Sequence, residues 1–116
     1  IAIMRVLPNI TVVVPCDALE AKKATLAIAD VPGPCYLRLT REKTPLINQS
    51  INFKFQIGVA NVLEEYGNDV AIVACGPLVY QSLIAAKELN EEGIKVKEDT
   101  VINLELYFWD PITELL

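Results

Sequence analysis

The chain has 116 residues, room for about one domain on ordinary size grounds. Apolar residues make up 53% of it, yet no apolar run approaches the ~18 residues of a membrane-crossing helix. Net charge is −5 and the Lys and Arg residues are scattered, with no basic stripe interleaved with aromatics, which argues against a nucleic-acid partner.

Ile1-Ala-Ile-Met precedes Arg5, shows no leader pattern, and leads into a segment read as strand-like. Thr11–Val14 is a β-branched run closed by Pro15, the pattern of a buried parallel strand. Asp17 stands as an N-cap, and Glu20 three residues on completes a capping box in its Asp form. The helix so begun is expected over 17–30, with Leu19, Ala24, Leu26 and Ala27 on its apolar side. Pro32-Gly-Pro34 stops it. In 35–40, apolar Cys35, Leu37 and Leu39 alternate with Tyr36, Arg38 and Thr40, which predicts a second strand. The β-α-β order calls for a parallel pair with a right-handed crossover.

Arg41 stands just past the last apolar residue of that strand, in a polar segment closed by Pro45. Ligands of open α/β sheets bind outside the carboxyl ends of the strands. A guanidinium there suits a phosphate, through paired charge-assisted hydrogen bonds. Spacing alone favours the plainer reading, a solvated loop charge.

Residues 44–56 carry Pro45, Asn48-Gln-Ser50, Asn52 and Lys54, which reads as a linker between two domains. The boundaries follow as 1–46, a linker at 47–56, and 57–116. Phe55–Leu63 suggests a short strand or hairpin turning at Gly58. Val70–Cys75 is another apolar run of strand length. Gly76-Pro77 opens a helix expected over 77–92, with Gly93 as its C′ residue. A last strand is expected within 94–104. The fold class is thus α/β: two partial three-layer units with mostly parallel sheets, joined by a linker.

Chemistry-bearing residues are few. There is no histidine, hence no imidazole base or ligand. Cys16, Cys35 and Cys75 lie far apart without CxxC spacing, which reads as free thiols in a reducing, cytoplasmic setting, not a disulfide framework or a zinc site. Ala74-Cys-Gly-Pro77 has one glycine and no Lys-Ser/Thr pair, so it is a strand-to-helix turn and not a phosphate loop. Cys75 at a helix start has no histidine to act as its base and is not assigned as a nucleophile. No catalytic residue and no metal ligand is assigned. A mean hydropathy of +0.36 in so short a chain implies apolar surface meant for other domains or a second subunit.

Arg5-Val-Leu-Pro-Asn-Ile-Thr-Val-Val-Val-Pro15, Asp17-Ala-Leu-Glu-Ala-Lys-Lys23, GPCYLRLTREKTP (33–45) and VAIVACGPLVYQSLIAAKELNEEGIKV (70–96) together resemble the transketolase family of thiamine-diphosphate enzymes. The pattern is collinear over nearly all of 1–104 and is most similar to the separate C-terminal subunit of split transketolases. The resemblance implies the end of a pyrimidine-binding domain followed by the start of the transketolase C-terminal domain. It implies that Arg41 contacts the sugar phosphate of the substrate, in an enzyme moving a two-carbon ketol unit between sugar phosphates.

Family members carry a catalytic glutamate, ring-flanking aromatics and histidines upstream of the segment matching Ile1. Their Gly-Asp-Gly motif for diphosphate and Mg2+ lies in another domain. The resemblance therefore implies thiamine diphosphate and Mg2+ in the parent enzyme and no cofactor held by this chain alone. The remaining transketolase domains or subunit are the expected partners, with a dimer or other homo-oligomer. Two other readings stand beside this one. In 1-deoxyxylulose-5-phosphate synthase relatives tend to carry Tyr-Pro-Arg-Gly where this chain has Leu39-Thr-Arg-Glu42. A non-catalytic transketolase-like assembly module also fits. The 98–116 tail, with Tyr107-Phe-Trp109, is the part least like the family.

Overall fold

The computed structural model describes residues 1–47, 55–64 and 66–96. Its elements run α1 (Ala2–Arg5), β1 (Thr11–Val13), α2 (Ala18–Ile28), β2 (Cys35–Leu37) and α3 (Leu78–Glu91). The fold is α/β, as expected. β1 and β2 pair in parallel, in the register Thr11↔Cys35, Val12↔Tyr36, Val13↔Leu37, with α2 as the crossover.

Local chemistry explains α2. Asp17 is extended at the N-cap and its Oδ1 accepts the Glu20 N–H at 2.8 Å. Ala24 faces inward and is fully buried. At the end of α3, Gly93 has φ +90, its N–H donates to the Asn90 carbonyl, and the Ile94 N–H reaches back to the Leu89 carbonyl at 2.9 Å. That is the Schellman pattern, and glycine supplies its left-handed residue.

The strands are shorter than the alternation predicts. The ladder runs from the Thr11 N–H on the Pro34 carbonyl to the Arg38 N–H on the Val13 carbonyl. Pro15 lacks an N–H, so β1 has no donor to continue with, and 38–40 leaves the sheet for that reason. The sequence assigns no element to the first residues. Ala2–Arg5 forms one helical turn, closed by the Arg5 N–H on the Ile1 carbonyl, with Ile3 80% exposed. With no neighbouring strand among the described residues to pair with, the turn satisfies these backbone groups locally.

The Val70–Cys75 run is not a strand among the described residues. Val70 forms an isolated parallel bridge with Val96, and the neighbouring Asp69 N–H donates to the Lys95 carbonyl at 2.7 Å. Phe55–Leu63 forms no hairpin among them, and a turn falls at Ile57-Gly58. Most of the expected linker and the final strand, with the aromatic cluster of the tail, lie outside the described residues.

Val12, Val13, Val14, Ala24, Val79, Ala86 and Val96 are buried. Cys16 and Val79 pack together, with Ile47, Leu63, Ala74 and Leu83 against them. The end of β1 therefore meets the start of α3. At Gly76, φ is +62 and a Cβ would stand 2.8 Å from Val14 Cγ1. Glycine is what lets the turn before α3 approach the end of β1.

Candidate functional site

A cleft of about 450 Å³ opens where β1 and β2 end. One wall is Pro15, Cys16, Asp17, Ala18 and Ala21, from the end of β1 and the start of α2. The other is Leu39, Thr40, Glu42, Lys43 and Thr44, from the polar segment after β2. Parallel pairing puts both carboxyl ends on one rim, so the cleft is the crevice that open α/β sheets use for ligands.

The first wall is held rigidly. Asp17 is buried, and its two oxygens do different work. Oδ1 caps α2 through the Glu20 N–H. Oδ2 accepts the Ile47 N–H at 2.8 Å, tying in the chain after Pro45. Glu20 is fully buried, and its Oε2 accepts the Cys16 N–H at 2.6 Å. A standard capping box would send that carboxylate to the N-cap N–H; here it takes the residue before. Glu20 Oε1 has no hydrogen-bond partner among the described residues.

Burial, then a hydrogen bond to Glu20, then the charges of Glu20 and Asp17 push the Cys16 thiol far above its usual range. Cys16 is thus a protonated core thiol and a poor nucleophile. Cys75 is half-buried before the turn into α3, and Cys35 is half-buried in β2.

The second wall is exposed. The Glu42 N–H donates to Thr40 Oγ1 at 3.3 Å, bending the segment. Arg41 is exposed and is not among the residues lining the cleft, although both of its neighbours are. The strand-end reading pointed to this segment but missed Thr40, Glu42, Lys43 and Thr44 as its lining. The available signal was the whole polar run between Leu39 and Pro45.

The cleft does not fit a diphosphate with its cation. The Asp17 carboxylate already caps the helix start, where such a group would seek N–H donors. Among the described residues no three His, Cys, Asp or Glu side chains stand together as metal ligands. No helix among them is long and apolar enough to cross a membrane.

Comparison with known proteins gives a consistent picture. Residues 58–111 match the family model "Transketolase, C-terminal domain". Over 97 residues the chain is 36% identical to one subunit of the apulose-4-phosphate transketolase of Phocaeicola vulgatus, covering 84% of this chain and 31% of that protein. Over 94 residues it is 40% identical to a 6-deoxy-6-sulfo-D-fructose transketolase subunit of Clostridium sp., covering 81% and 29%. A solved split-gene transketolase, described as an inactive beta4 tetramer, superposes with a TM-score of 0.79 at 39% identity. That match covers 90% of this chain and 33% of the other. The chain spans about three tenths of the length of these curated relatives.

Proposed function

The chain belongs to the transketolase family, and from this we propose that it is one section of an enzyme moving a two-carbon ketol unit between sugar phosphates. The observation that supports this most is the collinear likeness to a split transketolase over 90% of the chain. Within the whole enzyme this section forms the rim of the substrate cleft and part of a subunit interface. Arg41, one residue from either side of the lining, turns its guanidinium to the substrate's phosphate end. Thr40, Thr44 and Lys43 border the same space. Thiamine diphosphate and Mg2+ are the cofactors of the assembled enzyme, held by its other domains; the enzyme works in the cytoplasm.

The interface follows from the apolar groups left outside. Ile3, Val6, Leu26, Leu39 and Leu78 are exposed. Apolar surface of this kind is suited to burial against a neighbouring domain or subunit. One observation favours a second reading, an assembly module without catalysis: the structural neighbour is described as an inactive tetramer.

The deciding experiment assembles this chain with the domains that carry the catalytic glutamate and the Gly-Asp-Gly segment. Ketol transfer from a phosphorylated ketose to an aldose acceptor is then measured with and without the chain. Transfer that requires the chain supports the enzyme reading. A complex that forms without gaining transfer supports the assembly module.

A further inference from the structure

The polar segment bordering the cleft is a strap fastened at both ends to one corner of the fold. At its start the Arg38 N–H donates to the Val13 carbonyl at 2.9 Å. At its end the Ile47 N–H donates to Asp17 Oδ2 at 2.8 Å. Both acceptors belong to the end of β1 and the start of α2, the rigid wall of the cleft. Between the fastenings Leu39, Thr40, Arg41, Glu42 and Lys43 are exposed, so packing does little to hold them. The Glu42 N–H turns onto Thr40 Oγ1, and Thr44 is half-buried. Pro45 fixes its own φ and restricts Thr44 before it, which passes the restraint at Ile47 back toward Arg41. Asp17 is buried and its other oxygen caps α2, so the fastening point itself is fixed. A loop held at both ends leaves less ordering to be done when a ligand arrives.

We propose that Asp17 is a positioning residue for the substrate's phosphate end: by holding the Ile47 N–H it closes the strap and sets Arg41 where the phosphate arrives. This rests on the reading that Arg41 receives that phosphate. The Asp17 carboxylate is committed to backbone N–H groups and acts through Arg41, not on the substrate. A residue that acts through another loses its effect once that other is gone, so the two substitutions are non-additive in phosphate selectivity. A merely structural residue lowers transfer to every acceptor alike.

The test is a double-mutant cycle in the assembled enzyme, with an unphosphorylated ketol donor held saturating. The acceptors are glyceraldehyde 3-phosphate and glyceraldehyde, and selectivity is the ratio of their kcat/KM values. Asp17→Asn keeps a capping oxygen but cannot accept both N–H groups. It should lower selectivity roughly tenfold, the scale on which displaced binding groups lose their effect. Arg41→Ala should lower selectivity further, and adding Asp17→Asn to it should change the ratio no more. Should Asp17→Asn fail to assemble, Asp17→Ser, which also keeps a capping oxygen, carries the same cycle. Equal loss for both acceptors, or effects that multiply in the double variant, would overturn the role of Asp17 while Arg41→Ala still lowers the ratio. If Arg41→Ala leaves the ratio unchanged, or the assembly transfers no ketol unit, the phosphate reading of Arg41 fails, and this inference with it.

Discussion

The carboxylate of Asp17 accepts the backbone N–H of Ile47 at 2.8 Å, across 30 positions of sequence, while its other oxygen caps α2. One side chain thus fixes both the helix start and the exit of the chain from the cleft. Loss of an N-cap costs about 0.5–2 kcal/mol, and loss of a hydrogen bond to a charged group about 1.5–3 kcal/mol. Asp17→Ala is therefore expected to lower unfolding free energy by about 2–5 kcal/mol. Asp17→Asn retains one acceptor oxygen and should lose less. Urea unfolding of the three chains checks the order, and equal stability of Asp17→Ala and the native chain would refute it.

Gly76→Ala should destabilise by about 1–3 kcal/mol, the usual cost of a left-handed non-glycine residue. The new Cβ would also press on Val14 Cγ1, 2.8 Å away. Trimming Val14 to Ala in the same chain should recover the clash but not the backbone cost. A melting temperature unchanged by Gly76→Ala would show that the turn before α3 is free to move away from β1.

Cys16 supplies a pH prediction. Its folded-state value is raised above the usual 9.0, chiefly by burial and then by Glu20. The unfolded chain gives up this proton first as pH rises. The contribution to stability is therefore complete below pH 9 and falls by up to about 1.4 kcal/mol per pH unit above it. Cys16→Ala should show a flatter decline between pH 9 and pH 10.5, whatever its stability at pH 8. Parallel slopes for the two chains would contradict this assignment.

In the assembled enzyme, Arg41→Ala should weaken phosphorylated substrates selectively. Removing a hydrogen-bonded charged contact costs about 1.5–3 kcal/mol, roughly 10–150-fold in kcat/KM. Comparison with matched substrates lacking the phosphate decides the matter. An equal loss for both classes would mean that Arg41 does not read the phosphate.

This chain alone is expected to show no saturable binding of thiamine diphosphate, even with millimolar Mg2+. Binding should return when the domain holding the diphosphate is added. Titration calorimetry giving micromolar affinity for the isolated chain would send the search for a phosphate site back to the turn at Gly76.

What could be read in advance follows the range of the interactions. The start of α2 and the end of α3 were legible because Asp17, Glu20 and Gly93 act within a few residues of themselves. The parallel pairing of β1 and β2 was legible from two apolar runs with a helix between them. The lengths of those strands were not, because they depend on the partner: Pro15 ends the ladder for 38–40 as well as for its own strand. The run at 70–75 has strand composition, but strand structure needs a neighbouring strand, and among the described residues it has a single bridge, Val70 to Val96. Arg41 was legible as a strand-end cation. That Glu42 and Lys43 line the cleft and Arg41 does not depends on the bend at Thr40, which composition does not encode.

The parallel register has a consequence for how such a site can change. Because β1 and β2 end on the same side, the two walls of the cleft have separate obligations. The wall from Pro15 to Ala21 is bound into the core through Asp17, Glu20 and Cys16, so exchanges there disturb folding. The wall from Thr40 to Thr44 is mostly exposed and bears little of the structure's stability. Selection can therefore rewrite the residues at 40–44 to suit a different end group while the scaffold stays still, so divergence in substrate preference is expected to concentrate in that five-residue stretch.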